Sequence, residues 1–378
     1  MRRLLFIGHD ASRSGAPFVL LYLLRWIKAN QPDHDLDLLL LGGGELEEEY
    51  RSVANVYVVP HLSRNLPARL FRRLRGVETA AARSGKLPHF ERNYDAVIGN
   101  TVLAMPYLSL FKRRGFKTIS WLHELENAIA ALGLRHSFLP LADSVDKFIV
   151  GSNAVSEMLT RFGIKKPISR VYEFSPRGSG TQVDVRKVKK EMGVPDDAFI
   201  VGACGTLESR KGADIFADVA KILLKRYPEM RFVWVARDNV ADDQMYGEFT
   251  RTIADVHLSD KVFLHRSGIS PENYLAAMDV FVLPSREDPF PIVCLEAANL
   301  GKPIVCFADA GGMPEFVQDD AGAVVPFGDI EALADAIAAF YLDPKKMTRA
   351  GSIAKQKALG DFSTDTACLS IFNVIRSV

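Results

Sequence analysis

Short runs of apolar residues recur along the chain and are separated by longer stretches of helix-like character. The runs are continuous, without alternating polar residues, which is typical of strands buried on both faces of a parallel sheet. The alternation of strands and helices predicts right-handed crossovers and doubly wound sheets, so the fold class is α/β. Predicted strands lie at 3–8, 36–41, 56–60, 96–100, 117–122 and 147–152 in the first half, and at 199–205, 230–236, 261–266, 279–285, 302–307 and 322–327 in the second.

The two sets of strands predict two Rossmann-like domains, and 378 residues exceed the usual size of one hydrophobic core. We expect a first domain over 1–170 and a second over 185–360, with a linker near 165–195. The apolar residues of 361–378 predict a closing helix that packs back on the first domain. Ligands of doubly wound sheets bind beyond the carboxyl ends of the strands. We therefore expect the two domains to face each other across a ligand-binding cleft.

Composition adds few constraints. Hydrophobic residues make up 48% of the chain and charged residues 25%, and the net charge of +1 gives no overall attraction to nucleic acid. The cysteines are far apart and match no zinc or redox spacing, which predicts buried thiols in a reducing compartment. The apolar run at 4–8 is too short for a signal peptide, and no run is long enough to span a bilayer. We therefore expect a cytoplasmic protein.

The segment SREDPFPIVCLEA, at 285–297, follows a predicted strand and predicts a loop and then a helix. Backbone N–H groups at the helix start would favour a phosphate. Two carboxylates, Asp288 in the loop and Glu296 one turn inside the helix, could accept hydrogen bonds from paired hydroxyls of a sugar or ribose. Locally, the alternative that these acids only cap the helix stays open. The helix-start residues predicted to bind the donor are Phe290, Pro291, Ile292 and Val293.

A second loop, within FIVGACGTLESRKGADIFADVAKIL at 199–223, carries a pair of cations. Arg210 and Lys211 follow a strand and precede an amphipathic helix, so they could clamp a diphosphate and offset the charge on a leaving nucleotide. Taken alone, the segment fits a solvated basic pair equally well.

The first domain offers a third loop and a histidine. Ser14 and Gly15 are small, which lets a ligand approach the backbone after the first strand. His123 ends a strand and is predicted to hydrogen-bond a sugar hydroxyl, although a lone histidine is more often structural. The chain has no G-x-G-x-x-G motif, no Walker motif and no H-E-x-x-H motif.

The acid–seven residues–acid spacing of Asp288 and Glu296, in its strand–loop–helix context, resembles the signature of glycosyltransferase family 4. These are retaining, nucleotide-sugar-dependent enzymes with the GT-B fold. The resemblance implies that Glu296 holds the donor's ribose, that Asp288 holds hydroxyls of the transferred sugar, and that Lys211 contacts the diphosphate. Two positions depart from the family pattern, because Asp288 stands where Glu is usual and Thr206 stands where many members have Arg.

The resemblance also implies roles for loops whose own residues are less informative. The loop that contains Ser14 and Gly15 would face the donor phosphate, with His9 on the acceptor side. His265 and Gly268 would lie in a loop after a strand that holds the nucleotide base. The ADAGGMPEFV segment at 308–317 resembles the family's G-G-x-P-E turn.

A basic stretch lies between the third and fourth predicted strands. Residues 61–93 contain eight Lys or Arg residues and two acidic residues, and leucines interleave with the cations of 64–75 at helical spacing. The segment 111–117 adds four cations. A basic amphipathic helix can lie on an anionic membrane, and a solvated helix face fits equally well. Aromatic stacking positions are too few to favour nucleic acid.

Together these features predict a retaining glycosyltransferase that moves a hexose-type sugar from a UDP- or GDP-sugar to a glycan or lipid-linked acceptor in polysaccharide or lipopolysaccharide biosynthesis. We expect neither cofactor nor metal, and peripheral contact with the inner face of the cell membrane through 64–75 and 111–117. Two alternatives stay open, namely a nucleotide-sugar epimerase-like enzyme and a non-catalytic sugar-nucleotide-binding subunit.

Overall fold

The computed structural model describes residues 2–59, 93–176, 183–237, 247, 249–251, 258, 260–267 and 271–378. The chain divides into two compact units. The first unit comprises Met1–Tyr172 and Asp365–Val378, and the second comprises Glu173–Thr364. The change of unit falls within the predicted linker, and most of the predicted closing helix belongs to the first unit.

The first unit is built on a parallel sheet with the order β3-β2-β1-β4-β5-β6-β7. Its strands are β1 (Arg2–Gly8), β2 (His34–Leu40), β3 (Asn55–Val58), β4 (Ala96–Asn100), β5 (Thr118–Leu122), β6 (Lys147–Val150) and β7 (Ile168–Arg170). Its helices are α1 (Gly15–Asn30), α2 (Glu47–Arg51), α3 (Met105–Arg113), α4 (Glu126–Ala131), α5 (Phe138–Ala142) and α6 (Asn153–Arg161).

The second unit repeats this pattern with the order β10-β9-β8-β11-β12-β13. Its strands are β8 (Ile200–Cys204), β9 (Arg231–Arg237), β10 (Val262–Ser267), β11 (Val280–Leu283), β12 (Ile304–Phe307) and β13 (Gly322–Val325). Its helices are α7 (Val185–Glu191), α8 (Ala213–Arg226), α9 (Glu272–Ala277), α10 (Ile292–Asn299), α11 (Met313–Val317), α12 (Ile330–Leu342) and α13 (Pro344–Leu359). The last helix, α14 (Thr364–Arg376), returns almost entirely to the first unit.

Both sheets have their central strands buried on two faces, as their continuous apolar runs predict. Every residue of β4, β5, β8 and β11 is buried. The strand order reverses between β1 and β4 in the first unit and between β8 and β11 in the second. Ligands of doubly wound sheets bind at such reversals, beyond the carboxyl ends of the strands. These findings confirm the prediction of two Rossmann-like α/β domains.

The closing helix α14 packs on the first unit through aromatic and polar contacts. The Phe372 ring lies 6.1 Å from that of Trp26 and 5.1 Å from that of His34. The indole N–H of Trp26 donates to Asp365 at 3.1 Å. Among the described residues, no helix has the length and apolar character needed to cross a bilayer.

Two elements were missed in the sequence, and neither buries bulky apolar residues. The edge strand β7 has three residues and only one apolar side chain, Ile168. Helix α13 buries only Ala350, Gly351, Ala354 and Ala358. A Cβ atom on Gly351 would lie 2.0 Å from the carbonyl oxygen of Gly301, so this face permits close backbone packing. The four cysteines are all free and buried, which confirms their predicted burial.

Candidate functional site

In the second unit, the loops after β8 and β11 are locked together through their backbones. Gly212 has φ +74°, and a Cβ atom there would lie 2.1 Å from the carbonyl oxygen of Pro284. Only glycine permits this approach without strain. The N–H groups of Arg286 and Glu287 donate to the carbonyl of Arg210 at 2.7 and 3.4 Å. The two predicted loops therefore form one site at the reversal of strand order.

Lys211 and Asp288, which lie on these two loops, form an ion pair. The Lys211 ammonium donates directly to the Asp288 carboxylate, and the side chains are only 15% and 6% exposed. The Ser285 hydroxyl also donates to Asp288, at 3.5 Å. Asp288 is therefore bound to a cation from the neighbouring loop, and no side chain caps the start of α10. This favours the binding interpretation of Asp288 over the capping alternative.

A third loop, which follows β12, fixes the backbone of Asp288. The Asp288 N–H donates to the carbonyl of Ala310 at 2.7 Å, and the Gly312 N–H donates to Pro289 at 2.9 Å. Gly311 has φ +138°, and a Cβ atom there would lie 1.7 Å from the Asp288 carbonyl oxygen. The glycine pair of the predicted G-G-x-P-E turn therefore brings this loop against the ion pair.

The start of α10 requires one correction to the predicted set of N–H donors. Pro291 directly precedes the helix and has no N–H group, so it cannot donate to a phosphate. The side chain of Phe290 is buried and stacks on Phe362, with ring centroids 5.8 Å apart. Ile292 and Val293 occupy the first turn, whose N–H groups have no partner inside an α-helix. Glu296 lies one turn further along and is half-buried.

Arg210 is oriented differently from Lys211. Its Nε donates to Glu208 at 2.8 Å, and its Nη1 is 3.5 Å from the Glu287 carbonyl. The hydroxyl oxygen of Thr206, where family 4 members often have Arg, is buried and has no hydrogen-bond partner among the described residues. Lys211 thus pairs with Asp288 of the neighbouring loop, whereas Arg210 pairs with Glu208 of its own loop.

Sequence reasoning missed a second ion pair that braces the two loops. Arg286 donates to both carboxylate oxygens of Asp214, at 2.8 and 2.5 Å, and to the Ser209 carbonyl at 2.7 Å. The hydrogen bonds from Arg286 lower the pKa of Asp214, and the same contact raises the pKa of Arg286. Arg286 stands inside the 285–297 segment, but its partner is 72 residues away and has no motif of its own.

The prediction for the base-binding loop needs correction at His265. His265 lies inside β10, and its ring is stacked 5.7 Å from that of Tyr274. Its Nε2 is 3.2 Å from the Met192 carbonyl oxygen, and burial lowers its pKa. His265 therefore belongs to the strand, as the predicted bounds 261–266 imply, and its side chain packs there instead of lying in the loop that follows. Gly268 lies outside the described residues.

In the first unit, the loop after β1 is stabilised by short polar side chains. The Asp10 carboxylate accepts from the Ser12 N–H at 2.9 Å and from its hydroxyl at 2.8 Å. The Ser12 and Ser14 hydroxyl oxygens are 3.0 Å apart. Ser14 precedes α1 in an extended conformation without capping it, and Gly15 is the first residue of the helix. The predicted pair therefore lies at a helix start beside the reversal of strand order.

The two predicted histidines of this unit interact with different polar side chains. His9 Nε2 is 3.4 Å from the Asp10 carboxylate. Burial lowers the pKa of His9, Asp10 opposes that shift, and a protonated His123 lowers it further. His123 Nε2 is 2.7 Å from the side-chain oxygen of Asn100. Asn100 and the strained Thr101, at φ +84°, were not predicted as site residues.

The long helices differ in how they begin. Among described helices of eight or more residues with defined N-caps, α1, α3, α8 and α10 have no side-chain cap. These four follow β1, β4, β8 and β11, the strands at the two reversals. The other three, α6, α12 and α13, are capped by Ser152, Asp329 and Asp343.

The predicted membrane-contacting segments are only partly described. Residues 64–75 lie outside the described part of the chain. In 111–117, Phe111 is buried, Lys112 pairs with Asp146, and the other three cations are exposed at Arg113, Arg114 and Lys117. Within the described residues, no group of three or more His, Cys, Asp or Glu side chains has the arrangement of a metal site.

Comparison with known proteins adds a family match in the second unit. Residues 184–357 match the family model described as Glycosyl transferases group 1. The lipopolysaccharide core biosynthesis mannosyltransferase LpsB of Rhizobium meliloti is 26% identical over 198 residues, which cover 52% of this chain and 56% of that protein. The lipopolysaccharide core biosynthesis glycosyltransferase LpsE of the same organism is 26% identical over 251 residues, which cover 66% and 69%. The chain thus spans little more than half of LpsB.

Solved structures match over the whole chain. HepE of Anabaena, in complex with UDP-glucose, has a TM-score of 0.81 at 20% identity and full coverage of both chains. Sucrose-phosphate synthase of Thermosynechococcus elongatus has a TM-score of 0.79 at 18% identity, with coverage of 100% of this chain and 99% of that one. The fold is therefore that of GT-B glycosyltransferases, and residues 184–357, with the Lys211–Asp288 pair and α10, match the group 1 glycosyl transferases.

Proposed function

We propose that this protein is a retaining glycosyltransferase of family 4. It transfers a hexose-type sugar from a UDP- or GDP-sugar to a glycan or lipid-linked acceptor in polysaccharide or lipopolysaccharide biosynthesis. The observation that carries the proposal is the buried Lys211–Asp288 pair beside the uncapped start of α10. This arrangement lies inside the region that matches the group 1 family model.

The donor's diphosphate fits the cationic part of this arrangement. An ammonium group has three N–H donors, so the bond from Lys211 to Asp288 leaves two for phosphate oxygens. The first-turn N–H groups of Ile292 and Val293 add donors at a helix start, where an anion is stabilised. Positive charge at this position stabilises the departing nucleoside diphosphate. Since protein groups supply that charge, we propose that the reaction requires no metal and no cofactor.

The carboxylates fit the hydroxyl groups of the donor. Glu296 would hold the ribose and Asp288 would hold hydroxyls of the transferred sugar. Because Lys211 and Ser285 both donate to Asp288, that carboxylate is a weak nucleophile, and we propose no covalent intermediate. The bond from the anomeric carbon to the diphosphate breaks, and a bond to the acceptor oxygen forms on the same face. The acceptor's proton passes to the departing diphosphate.

The first unit would supply the acceptor side. His123 is proposed to hydrogen-bond a sugar hydroxyl, and His9 is proposed to contact the acceptor. Ser14 and Gly15 stay predictions as donor contacts. The relatives named for lipopolysaccharide core biosynthesis support an acceptor of that kind. The exposed cations of 111–117 support peripheral contact with an anionic membrane on its cytoplasmic face.

Donor binding by Glu296→Gln tests the proposal directly. Calorimetric titration with UDP-glucose, GDP-mannose and the free diphosphates identifies the donor for the wild-type protein. We expect Glu296→Gln to weaken binding of that donor about tenfold or more, since it replaces a charged acceptor of two hydroxyl hydrogen bonds. Glu331→Gln, which changes an exposed acid on α12, is the matched control. Wild-type affinity in Glu296→Gln would refute this role.

Product analysis separates the proposal from its alternatives. With donor and an added oligosaccharide or lipid-linked acceptor, we expect a new glycosidic bond with the donor's anomeric configuration, as seen by proton NMR. We expect the rate to be unchanged in excess EDTA. Conversion of the donor sugar without an acceptor would indicate an epimerase. Donor binding without transfer or slow hydrolysis would indicate a binding subunit.

A further inference from the structure

Asn100 occupies a central position at the carboxyl edge of the first sheet. It is the last residue of β4, is fully buried, and pairs in register with Gly8 of β1 and Trp121 of β5. Its side-chain nitrogen donates to the carbonyl oxygen of Ala16, in the first turn of α1, at 3.0 Å. Its side-chain oxygen is 2.7 Å from His123 Nε2. One amide therefore connects a helix start to the histidine.

These two contacts determine the protonation of the His123 ring. A backbone carbonyl can only accept a hydrogen bond, so the NH₂ group of Asn100 must face Ala16. The amide oxygen then faces His123 Nε2, and this oxygen can only accept. Nε2 therefore carries a proton, and the acceptor nitrogen of the neutral ring is Nδ1.

The backbone around Asn100 is held as firmly as its side chain. Thr101 is a β-branched residue at φ +84°, a strained conformation that persists only where the surroundings enforce it. Its N–H donates to the Trp121 carbonyl at 2.9 Å. The Glu124 carboxylate accepts from the N–H of Val102 at 3.0 Å and from that of His123 at 3.1 Å. Glu124 thus ties the loop after β4 to the backbone of His123.

We propose that Asn100 is a positioning residue, which holds His123 in the Nε2–H form and couples its ring to the start of α1. The role in sugar transfer rests on the proposed function, whereas the protonation state does not. In the neutral Nε2–H form, Nδ1 is the acceptor of the ring, and the contact with Asn100 fixes the direction in which Nδ1 points. The proposed hydrogen bond from a sugar hydroxyl to Nδ1 is therefore made in one orientation. His9 interacts electrostatically with His123 and itself contacts Asp10, and the Glu124 carboxylate accepts from the His123 N–H.

The protonation state can be measured without substrate. In protein labelled with ¹⁵N-histidine, we expect His123 of the wild type to show a protonated Nε2 and an unprotonated Nδ1 at neutral to alkaline pH. Asn100→Leu should give mixed tautomers, because the acceptor is lost. Asn100→Asp should keep Nε2 protonated and raise the pKa of His123, because a carboxylate stabilises the imidazolium. An unprotonated Nε2 in the wild type overturns the proposal.

Kinetics tests the positioning role. We expect Asn100→Leu to lower kcat about tenfold, the effect of losing roughly one hydrogen bond, with donor affinity within about twofold. Asn100→Asp should retain more of the rate, with the low-pH limb of its profile moved to higher pH. Asn55→Leu is the matched control, because Asn55 donates to Asp37 in the same unit. Thermal unfolding verifies that each variant is folded.

The outcomes separate the two proposals. If Asn100→Leu does not fold, the pH profile and the NMR spectrum of Asn100→Asp decide the question. An unchanged kcat in Asn100→Leu, or an unshifted profile in Asn100→Asp, overturns the positioning role. If the wild type transfers no sugar, the proposed function fails and the positioning role fails with it. The tautomer would still be decided by NMR.

Discussion

The carboxyl ends of the strands form one edge of each sheet, called here the first edge in the first unit and the second edge in the second unit. The two edges have the same strand order around the reversal but carry different side chains. At the second edge, Lys211 and Asp288 form a buried ion pair between two loops. At the first edge, the ends of β4 and β5 bring together an amide and an imidazole, Asn100 and His123. The topology determines where a ligand can bind, and the side chains determine which ligand. A cationic edge suits a diphosphate, whereas a hydrogen-bonding edge suits a hydroxyl-rich acceptor.

The helix starts add to this comparison. At both edges the long helices that follow the reversal strands lack side-chain caps, whereas α6, α12 and α13 are capped. A cap satisfies a first-turn N–H group that a ligand could otherwise use. Both edges therefore offer backbone donors, and the ion pair is the main difference between them.

Removing Lys211 should have the largest effect. In Lys211→Met, the buried Asp288 carboxylate loses its cationic partner, and we expect the free energy of unfolding to fall by about 3–5 kcal/mol. If Lys211 donates to the leaving group as proposed, transfer should slow about 10²–10³-fold. Denaturant unfolding and steady-state kinetics measure the two effects.

Two further variants sharpen this prediction. Lys211→Met combined with Asp288→Leu should recover most of the stability but none of the activity. Lys112→Met breaks the more exposed pair with Asp146 in the first unit, whose side chains are 37% and 22% exposed, and should cost about 1 kcal/mol or less. If Lys211→Met and Lys112→Met lowered the free energy of unfolding by equal amounts, burial would not be what makes the Lys211–Asp288 pair important for stability.

Gly212→Ala should disturb the second edge through its backbone. The substitution adds a Cβ atom that would lie 2.1 Å from the Pro284 carbonyl oxygen at a position with φ +74°. We expect a loss of about 2–5 kcal/mol, from the left-handed conformation and from overpacking together. Gly328→Ala isolates the first cost, because Gly328 has φ +76° and a Cβ atom there would meet none of the described residues within 4 Å. Unfolding titrations measure the free energy of unfolding of both variants. Similar decreases in the two would show that the close approach of Gly212 to the Pro284 carbonyl does not contribute to stability.

Burial lowers the pKa of one histidine in each unit, His9 in the first and His265 in the second. At the first edge, the shift at His9 should make stability depend on pH near neutrality. The unfolded chain then binds a proton at higher pH than the folded chain. Stability is therefore lost as pH falls from about 6.5 towards the lower pKa of the folded state. His9→Gln should reduce this loss, and His136→Gln, at an exposed position, should not. Unfolding titrations between about pH 5 and pH 8 measure it, and identical pH profiles for His9→Gln and the wild type would refute the prediction.

The fold could be predicted from the sequence because its buried strands are continuous apolar runs. Strand β7 was not predicted because a three-residue edge strand needs no such run. Helix α13 was not predicted because its buried face is made of alanine and glycine. The predicted strand at 261–266 already contained His265, which indeed lies inside β10. Only the family resemblance assigned His265 to the loop after that strand.

The candidate site was only partly predictable, for a different reason. Lys211 and Asp288 were found through a resemblance that fixes their spacing to neighbouring motifs. The partners Asp214 of Arg286 and Asn100 of His123 lie 72 and 23 residues away and belong to no motif. Their roles depend on which strands are adjacent in the sheet, and hydrophobic patterns alone do not determine that adjacency.

The smallest expected effect concerns Thr206, where the second edge lacks a cation that many family members have. Its hydroxyl oxygen is buried and has no hydrogen-bond partner among the described residues. Thr206→Val keeps the shape and removes the hydroxyl, so we expect stability to rise by up to about 1 kcal/mol. Donor affinity should stay unchanged, because the proposed phosphate contacts come from Lys211 and the start of α10. Calorimetry on Thr206→Val and wild-type protein measures donor affinity. Weaker donor binding in Thr206→Val would instead show that the Thr206 hydroxyl contacts the donor, so that donor binding at the second edge would depend less on charged groups.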